Sequence, residues 1–216
     1  MQRIYPDSHV EIQGFMARNY DNLMNIASFG TYDRFIRSAI KAMHIKPGEK
    51  ILDLGCGTGR NACLMREYCG ESGHITGMDI SEEMADQFIK NCSAFDNVVF
   101  KNQRIDVPFT NGSQFDMVFM SFVLHGFPQE IRLKVLPNIF SSLNAGGRFC
   151  LLDFSEFKMK EMPFYYRVPF KTLECKYAFD FVERDWKKLL TEAGFIGYTE
   201  QYWFKKYVRL IEAKKI

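Results

Sequence analysis

The residues best suited to chemistry lie within positions 51–60, ILDLGCGTGR. A short apolar run carries the carboxylate of Asp53 and leads into a loop whose glycines stand at 55, 57 and 59. Glycines at alternate positions allow φ > 0 and leave no Cβ where a ligand must approach the main chain. Helical sequence resumes near Asn61. The pattern therefore predicts a strand, a tight turn that seats a ligand, and the start of a helix.

Two other uses of a glycine loop fit these residues less well. A dinucleotide loop needs G-x-G-x-x-G, in which the last glycine lets the helix pack on the strand, but Arg60 stands at that position. A phosphate loop would contain Lys followed by Ser or Thr, and no such pair follows here. An ordinary turn is the remaining alternative for a glycine loop taken alone.

A second acidic residue makes the ordinary turn a weak explanation. Asp79 follows the next apolar run, His74 to Met78, and lies 20 residues after Gly59. A carboxylate at the end of a second strand is suited to hydrogen-bond the hydroxyls of a ribose. Both acids and the glycine loop together predict a site for a nucleoside-containing ligand.

The rest of the chain predicts an α/β sheet that positions this loop. Apolar runs predict strands near 51–53, 74–78, 98–101, 115–121 and 148–154, followed by a closing antiparallel pair at 195–204 and 207–213. Helical spacing predicts helices within 7–43, divided at Gly30, and at 61–68, 82–91, 129–143 and 186–193. Pro137 predicts a kink or break in the helix at 129–143. Apolar strands separated by helices indicate a parallel sheet covered on both faces.

Composition narrows the classes of partner. The chain has 216 residues, which suits a single domain 1–216, and its formal charge is only +2, so charge implies neither nucleic acid nor an anionic membrane. No apolar run reaches about 18 residues, and no signal sequence is evident, so we expect a cytoplasmic protein without stable membrane insertion. Six cysteines lack C-x-x-C or paired Cys/His spacing, so we expect reduced thiols and no metal.

The order of motifs from about Tyr20 to Lys214 resembles the class I S-adenosylmethionine-dependent methyltransferase superfamily, whose first motif is an acid followed by G-x-G-x-G. Within it, the chain resembles the ubiquinone/menaquinone C-methyltransferase-like (UbiE/MenG-like) branch. The branch is indicated by Tyr20-Asp21, Val107-Pro108-Phe109 before Phe115-Asp116, residues 143–148 leading to Leu152-Asp153-Phe154-Ser155, and residues 164–169 after them.

The resemblance implies a Rossmann-like, seven-stranded, mostly parallel sheet with helices on both faces and the last strand antiparallel. S-adenosyl-L-methionine would lie across the carboxyl ends of strands one, two and four. Its methionine portion would be seated by Gly55, Cys56, Gly57 and Gly59, with Asp53 orienting the loop and the cofactor's amino group, and would be approached by Ser121 and Tyr20. Its adenosine would be bound by Asp79 at the ribose and by Ile80, Met84, Gln103 and Arg104 at the adenine.

His125 is the candidate catalytic residue, because it follows strand four and an imidazole titrates near neutrality, as a general base should. The alternative is a histidine that shapes the pocket or bonds a backbone carbonyl. Quinone C-methyltransferases usually carry Phe-Gly-x-Arg-Asn in this stretch, whereas this chain reads Phe122-Val-Leu-His-Gly-Phe127. The departure leaves the acceptor open.

Two segments are expected to cover the acceptor: the N-terminal helical region 7–43 and an aromatic-rich insertion at 155–182. The insertion could bind a flat or apolar acceptor, or could simply pack on the sheet. We therefore expect a methyltransferase that acts on a small aromatic or apolar metabolite, with C-methylation of a quinol as one possibility. Transfer to nitrogen, oxygen or sulfur of another small molecule is an alternative, and a non-catalytic cofactor-binding partner or regulatory subunit is a third.

Overall fold

The strands form the sheet that positions the glycine loop. The computed structural model describes residues 8, 30–109 and 114–216. In chain order the strands are β1 (Lys50–Leu54), β2 (His74–Asp79), β3 (Val98–Asn102), β4 (Phe115–Ser121), β5 (Leu143–Phe154), β6 (Ile196–Trp203) and β7 (Val208–Lys214). They form one sheet in the order β3-β2-β1-β4-β5-β7-β6.

The direction of the strands follows from their pairing. β1 pairs in parallel with β2 and β4, and the parallel ladder extends to β3 on one side and β5 on the other. β7 is inserted between β5 and β6 and is antiparallel to both. The carboxyl ends of β1, β2 and β4 consequently meet at one edge of the sheet, and this is where open α/β sheets bind ligands.

Helices cover the sheet. Within the described residues the α-helices are α1 (Tyr32–Ala42), α2 (Arg60–Cys69), α3 (Glu82–Asn91), α4 (Gln129–Ser142), α5 (Phe164–Leu173), α6 (Lys176–Phe181) and α7 (Trp186–Glu192), and short 3-10 turns occupy Leu124–Gly126 and Phe204–Lys206. Ser81 caps α3, since its Oγ accepts the Met84 N–H at 3.3 Å. Among the described residues, no helix combines the length and apolar character needed to cross a bilayer.

On each face of the sheet, apolar side chains of the strands and of the covering helices form one buried cluster. Neighbouring residues of a strand point to opposite faces, so Leu52 belongs to one cluster and Ile51 to the other. The Leu52 cluster includes Leu136 of α4 and Trp186 of α7. The Ile51 cluster receives α1, α2 and α3. This two-sided burial confirms the predicted α/β fold with a mostly parallel sheet.

Several local predictions differ from the structure. The helix over 129–142 continues through Pro137, so the expected break was wrong. Burial of Val135, Leu136 and Ile139 on either side of the proline stabilises the helix despite the missing N–H. β5 begins at Leu143, five residues earlier than predicted. Within the predicted N-terminal helical region 7–43, the structure contains the helix α1. Tyr20 lies outside the described residues.

Candidate active site

The glycine loop after β1 has the backbone geometry that its composition predicted. Gly55, Gly57 and Gly59 have φ values of +71°, +51° and +80°. A Cβ on Gly55 would stand 2.4 Å from Val123 Cγ2, and one on Gly59 would stand 2.8 Å from Phe88. A Cβ on Gly57 would meet only Met84 Sδ, at 4.0 Å. The outer two glycines are therefore required by packing, while the middle one keeps the space above the loop open.

Asp79, at the end of β2, connects the glycine loop to the next strand. Its Oδ2 accepts the Gly57 N–H at 3.0 Å, and its Oδ1 accepts the Ser81 N–H at 3.0 Å. Burial raises the pKa of Asp79 above its usual range, although these backbone donors oppose the shift. Each carboxylate oxygen has a second lone pair, so Asp79 can also accept a hydrogen bond from a ligand.

Asp53 lies in β1 behind the loop and is 1% exposed. No described residue donates a hydrogen bond to its Oδ2. Burial, followed by the negative charge of Asp79, raises the pKa of Asp53 to about 8. A buried carboxyl with an unsatisfied oxygen is a natural partner for a cationic ligand, because a nearby positive charge would favour its ionised form.

A cavity opens at the carboxyl ends of β1, β2 and β4, with a volume of about 1010 Å³ including the space open to solvent. It brings together nine of the predicted cofactor residues: Gly55, Cys56, Gly57, Asp79, Ile80, Met84, Gln103, Arg104 and Ser121. Asp53, Gly59 and His125 are not among its described lining residues. The Arg104 guanidinium is bound by Asp106 at 2.7 and 2.9 Å, consistent with a contribution through its backbone.

The cavity also has walls that the sequence did not predict. Tyr32 of α1 lies over Arg60 with 5.0 Å between its ring centroid and the guanidinium carbon, and Arg60 donates to Asp33 at 3.1 Å. Arg60 and Asn61 begin α2 directly after the glycine loop. Their closeness to the loop in sequence was the signal that could have predicted them as cavity residues. Phe122, Val123 and Phe127 line the end of the cavity beside Ser121.

Phe122 has an unusual backbone conformation at this end of the cavity. Its φ is +53°, a conformation that non-glycine residues rarely adopt. Its N–H donates to Leu152 O at 2.9 Å, and its ring lies 5.9 Å from that of Phe154 and 6.2 Å from that of Phe35. This hydrogen bond and the two ring contacts therefore stabilise a turn that directs the chain from β4 into the Leu124–Gly126 segment.

His125 is buried beside the cavity wall and is held by two carboxylates. Its Nδ1 is 2.7 Å from Asp153 Oδ1, and its Nε2 is 3.3 Å from Glu174 Oε2. Burial lowers the pKa of His125, but the charge and hydrogen bond of Asp153, followed by those of Glu174, raise it to about 10. In this arrangement the imidazole is protonated at neutral pH, which is unfavourable for a base. The predicted catalytic role remains a prediction.

Arg132 of α4 fixes the elements around His125. Its fully buried guanidinium donates to Leu124 O at 3.1 Å, His125 O at 2.9 Å and Tyr177 O at 2.6 Å, and it pairs with Asp180 at 2.7 Å. These bonds satisfy a charge that burial alone would disfavour. Arg132 thereby connects α4, the Leu124–Gly126 turn and α6.

Comparison with known proteins identifies the family. A model of the ubiE/COQ5 methyltransferase family matches residues 7–178. The chain belongs to this family. The predicted family is thereby confirmed, and with it S-adenosyl-L-methionine as the cofactor.

Individual members of the ubiE/COQ5 methyltransferase family are moderately similar. A demethylmenaquinone methyltransferase from Listeria welshimeri is 28% identical over 141 residues, a match that covers 64% of this chain and 58% of the Listeria protein. One from Staphylococcus haemolyticus is 28% identical over 207 residues, covering 87% and 84%. A SAM-dependent methyltransferase structure from Aquifex aeolicus matches with a TM-score of 0.64 and 19% identity, covering 84% and 89%. This last similarity supports the fold.

The cavity fits the cofactor of this family. The open space above Gly57, the carboxylate of Asp79 and the apolar side chains of Ile80 and Met84 lie in one cavity, as a ligand with an amino acid end, a ribose and an adenine requires. The unsatisfied Oδ2 of Asp53 lies behind the loop, where a positive charge on the ligand would stabilise it.

Proposed function

We propose that this chain, folded as one domain over 1–216, transfers the methyl group of S-adenosylmethionine to a ring carbon of a small aromatic, quinol-like acceptor. The observation that carries the proposal is a cavity with two chemically different ends. One end has Gly57 and Asp79, and the other has Phe122, Val123 and Phe127 beside Ser121. Gly55 lies next to Val123, where the two ends meet. The demethylmenaquinone methyltransferases to which the chain is similar support this choice of acceptor.

The residues of the polar end would bind the cofactor. Asp79 would accept the ribose hydroxyls, while the backbone at Gly55, Cys56 and Gly57 would contact the methionine portion. Ile80 and Met84 would pack on the adenine, with Gln103 and the Arg104 backbone at its edge and Gly59 supporting the loop. Bound S-adenosylmethionine supplies a methyl group on a positively charged sulfur, which a nucleophile displaces in line.

The residues of the apolar end would orient the acceptor and exclude water. Phe122 and Phe127 offer ring surfaces for a flat acceptor, and Ser121 offers a hydroxyl. None of Ser121, Phe122, Val123 and Phe127 titrates near neutral pH. We therefore infer that the acceptor enters as its ionised hydroxyl form or loses its proton to a group beyond this wall. His125 would then act by positioning the wall, and a direct role as base would require its release from Asp153 and Glu174.

The expected surroundings of the protein are part of the proposal. All six cysteines are free, which supports a reducing, cytoplasmic location. The proposed acceptor is a small molecule rather than a nucleic acid, in keeping with a cavity end lined by aromatic and aliphatic side chains.

Calorimetric titration of the full chain with S-adenosylhomocysteine tests the cofactor end. We expect micromolar affinity, and we expect Asp79→Ala to weaken it roughly 10- to 150-fold, because hydrogen bonds to a charged group are lost. Asp86→Ala, an exposed carboxylate on α3, is the matched control and should bind like the original chain. Equal affinity of the two variants would contradict the proposed site.

Mass analysis of the methylated product tests the acceptor end. The full chain would be given S-adenosylmethionine with a naphthoquinol that lacks the ring methyl group, a catechol, an amine or a thiol. Methylation of the naphthoquinol carbon is expected. Methylation only of oxygen, nitrogen or sulfur would replace the proposed acceptor, and tight cofactor binding without transfer to any acceptor would favour a binding or regulatory protein.

A further inference from the structure

The outward face of α5 is apolar, which is unusual for a surface helix. Phe164, Val168 and Leu173 are 70%, 57% and 72% exposed, and Tyr165 is also exposed. Phe164, Tyr165 and Val168 share one face, because an α-helix has about 3.6 residues per turn. The opposite face carries Phe170, whose ring packs 5.0 Å from that of Phe154 in the interior. α5 is therefore apolar both toward the core and toward solvent.

A second exposed segment adjoins this helix. Residues 204–206 connect β6 to β7 and have φ values of +49°, +54° and +72° in succession. Non-glycine residues rarely adopt this backbone, and here it projects Phe204, which is 53% exposed. Lys205 Nζ lies 5.4 Å from the ring centroid of Tyr166 in α5. We call residues 158–176 together with 204–206 the aromatic-basic surface.

The charge of the aromatic-basic surface differs from that of the rest of the chain. It carries Lys158, Lys160, Arg167, Lys171, Lys176, Lys205 and Lys206, and its acidic residues are Glu161 and Glu174. Its net charge is therefore +5, although the whole chain has only +2, which leaves the remaining residues at −3. Glu174 is already paired with the His125 imidazole. The excess of positive charge therefore lies on the two segments that also carry the exposed rings.

We propose that the aromatic-basic surface docks on an anionic lipid bilayer. Exposed Phe and Tyr side chains favour the boundary between headgroups and acyl chains, and a surrounding set of Lys and Arg is attracted to anionic lipid. A protein partner would have to satisfy the same cations with acids while burying the rings. A bilayer supplies both properties over an extended plane.

The position of the surface gives docking a use. The Phe35 ring is 4.9 Å from that of Phe204 on the surface and 6.2 Å from that of Phe122 in the cavity wall. The buried ring of Phe35 lies between the docked face and the apolar end of the cavity, so docking would hold that end close to an acceptor dissolved in the bilayer. Docking itself goes beyond the proposed function and does not depend on which acceptor is methylated.

Sedimentation with lipid vesicles tests docking by the full chain. We expect binding to vesicles of mixed phosphatidylglycerol and phosphatidylcholine, weaker binding to phosphatidylcholine alone, and release by salt. Lys205→Asn with Lys206→Asn should reduce partitioning roughly 25-fold, since each lysine near an anionic surface contributes about 1 kcal/mol, and asparagine tolerates the left-handed backbone. Phe164→Ser with Val168→Ser should reduce it by about tenfold or more.

Ile89→Ser with Lys90→Asn is the matched control, because both residues are exposed on α3 outside the aromatic-basic surface. It should bind vesicles like the original chain. Each variant should also bind S-adenosylhomocysteine unchanged, which separates docking from the cofactor site and verifies folding. Lack of vesicle binding by the original chain, or equal losses in the control, would overturn the proposal. A lipid-free dimer that the same surface variants abolish would assign the surface to a second copy instead.

Discussion

The two ends of the cavity differ in the groups that line them, which are mainly backbone at one end and aromatic side chains at the other. The cofactor end consists largely of main chain: three glycines with positive φ, the backbone N–H of Gly57, and an aspartate that bonds to it. The acceptor end consists of rings, with Phe122 packed against Phe154 and Phe154 against Phe170 of α5. Backbone geometry tolerates few substitutions, whereas packed rings can be exchanged for others of similar volume. The proposed cofactor end should therefore tolerate fewer substitutions than the proposed acceptor end.

The largest effect is expected from a methyl group added to the cofactor end. Gly55→Ala would place a Cβ 2.4 Å from Val123 Cγ2 at a φ of +71°. We expect loss of several kcal/mol of unfolding free energy, or no folded protein, because the positive φ disfavours any side chain and the new Cβ would overlap Val123. Denaturant unfolding followed by circular dichroism measures it.

Gly146→Ala is the control for a positive φ alone. Gly146 has a φ of +76°, and a Cβ there would meet nothing within 4 Å. Its loss should be about 1–2 kcal/mol, and Val123→Ala should restore part of the stability of Gly55→Ala. Equal losses at both glycines would show that conformation, and not the contact with Val123, decides the requirement for Gly55.

A smaller loss of stability is expected from a substitution of His125, which pairs with Asp153 of β5 beside the acceptor end. His125→Leu leaves Asp153 and Glu174 without their shared cation and should lower the free energy of unfolding by about 3 kcal/mol at pH 7. The folded-state pKa of His125 is raised from 6.5 to about 10. Its stabilisation is therefore complete below pH 6.5 and lost as pH rises through 10, so the difference from the original chain should shrink toward that pH.

Thermal unfolding across pH measures this difference, with His44→Asn as an exposed control. His44 has a φ of +49°, which asparagine accommodates. A stability difference that stays constant across pH would contradict the ion-pair role of His125. Loss of the acid limb of the pH–rate profile for methyl transfer would separately identify it as the general base.

The smallest effect on stability is expected from a substitution of Asp53, behind the glycine loop of the cofactor end. The apo-protein pKa of Asp53 is about 8, so its raised folded-state pKa makes stability fall as pH rises from about 4 to 8. Asp53→Asn should therefore raise the melting temperature at pH 8 by about 2–4 °C. The exposed Asp86→Asn control should leave it unchanged.

The same carboxyl should report on cofactor binding. The positive charges of S-adenosylmethionine favour ionised Asp53, so binding at pH 7 should release close to one proton, seen as heat that depends on the buffer. This proton release should disappear in Asp53→Asn, and it should also disappear above pH 8, where Asp53 is already ionised before binding. Identical buffer dependence in the variant would place the proton on another group.

The difference between the two ends also explains what the sequence could predict. Asp53, the glycines and Asp79 lie at fixed offsets within one β-α-β unit, so local spacing was sufficient to predict this part of the cavity. The partners of His125 are 28 and 49 residues away, and no local pattern connects them. α5 was not predicted because Pro169 lies inside it and its residues are mostly aromatic or β-branched, so tertiary packing overrides weak helix propensity.

Arg132 has a consequence for motion near the acceptor. Because one guanidinium bonds carbonyls of the Leu124–Gly126 turn and of α6, these two segments are clamped to α4 and should open together only at high energetic cost. α5 contacts the interior through the ring of Phe170, and the residue after it, Glu174, is attached to His125. In amide hydrogen exchange, α6 should therefore exchange with the slow core and α5 as a separate, faster unit.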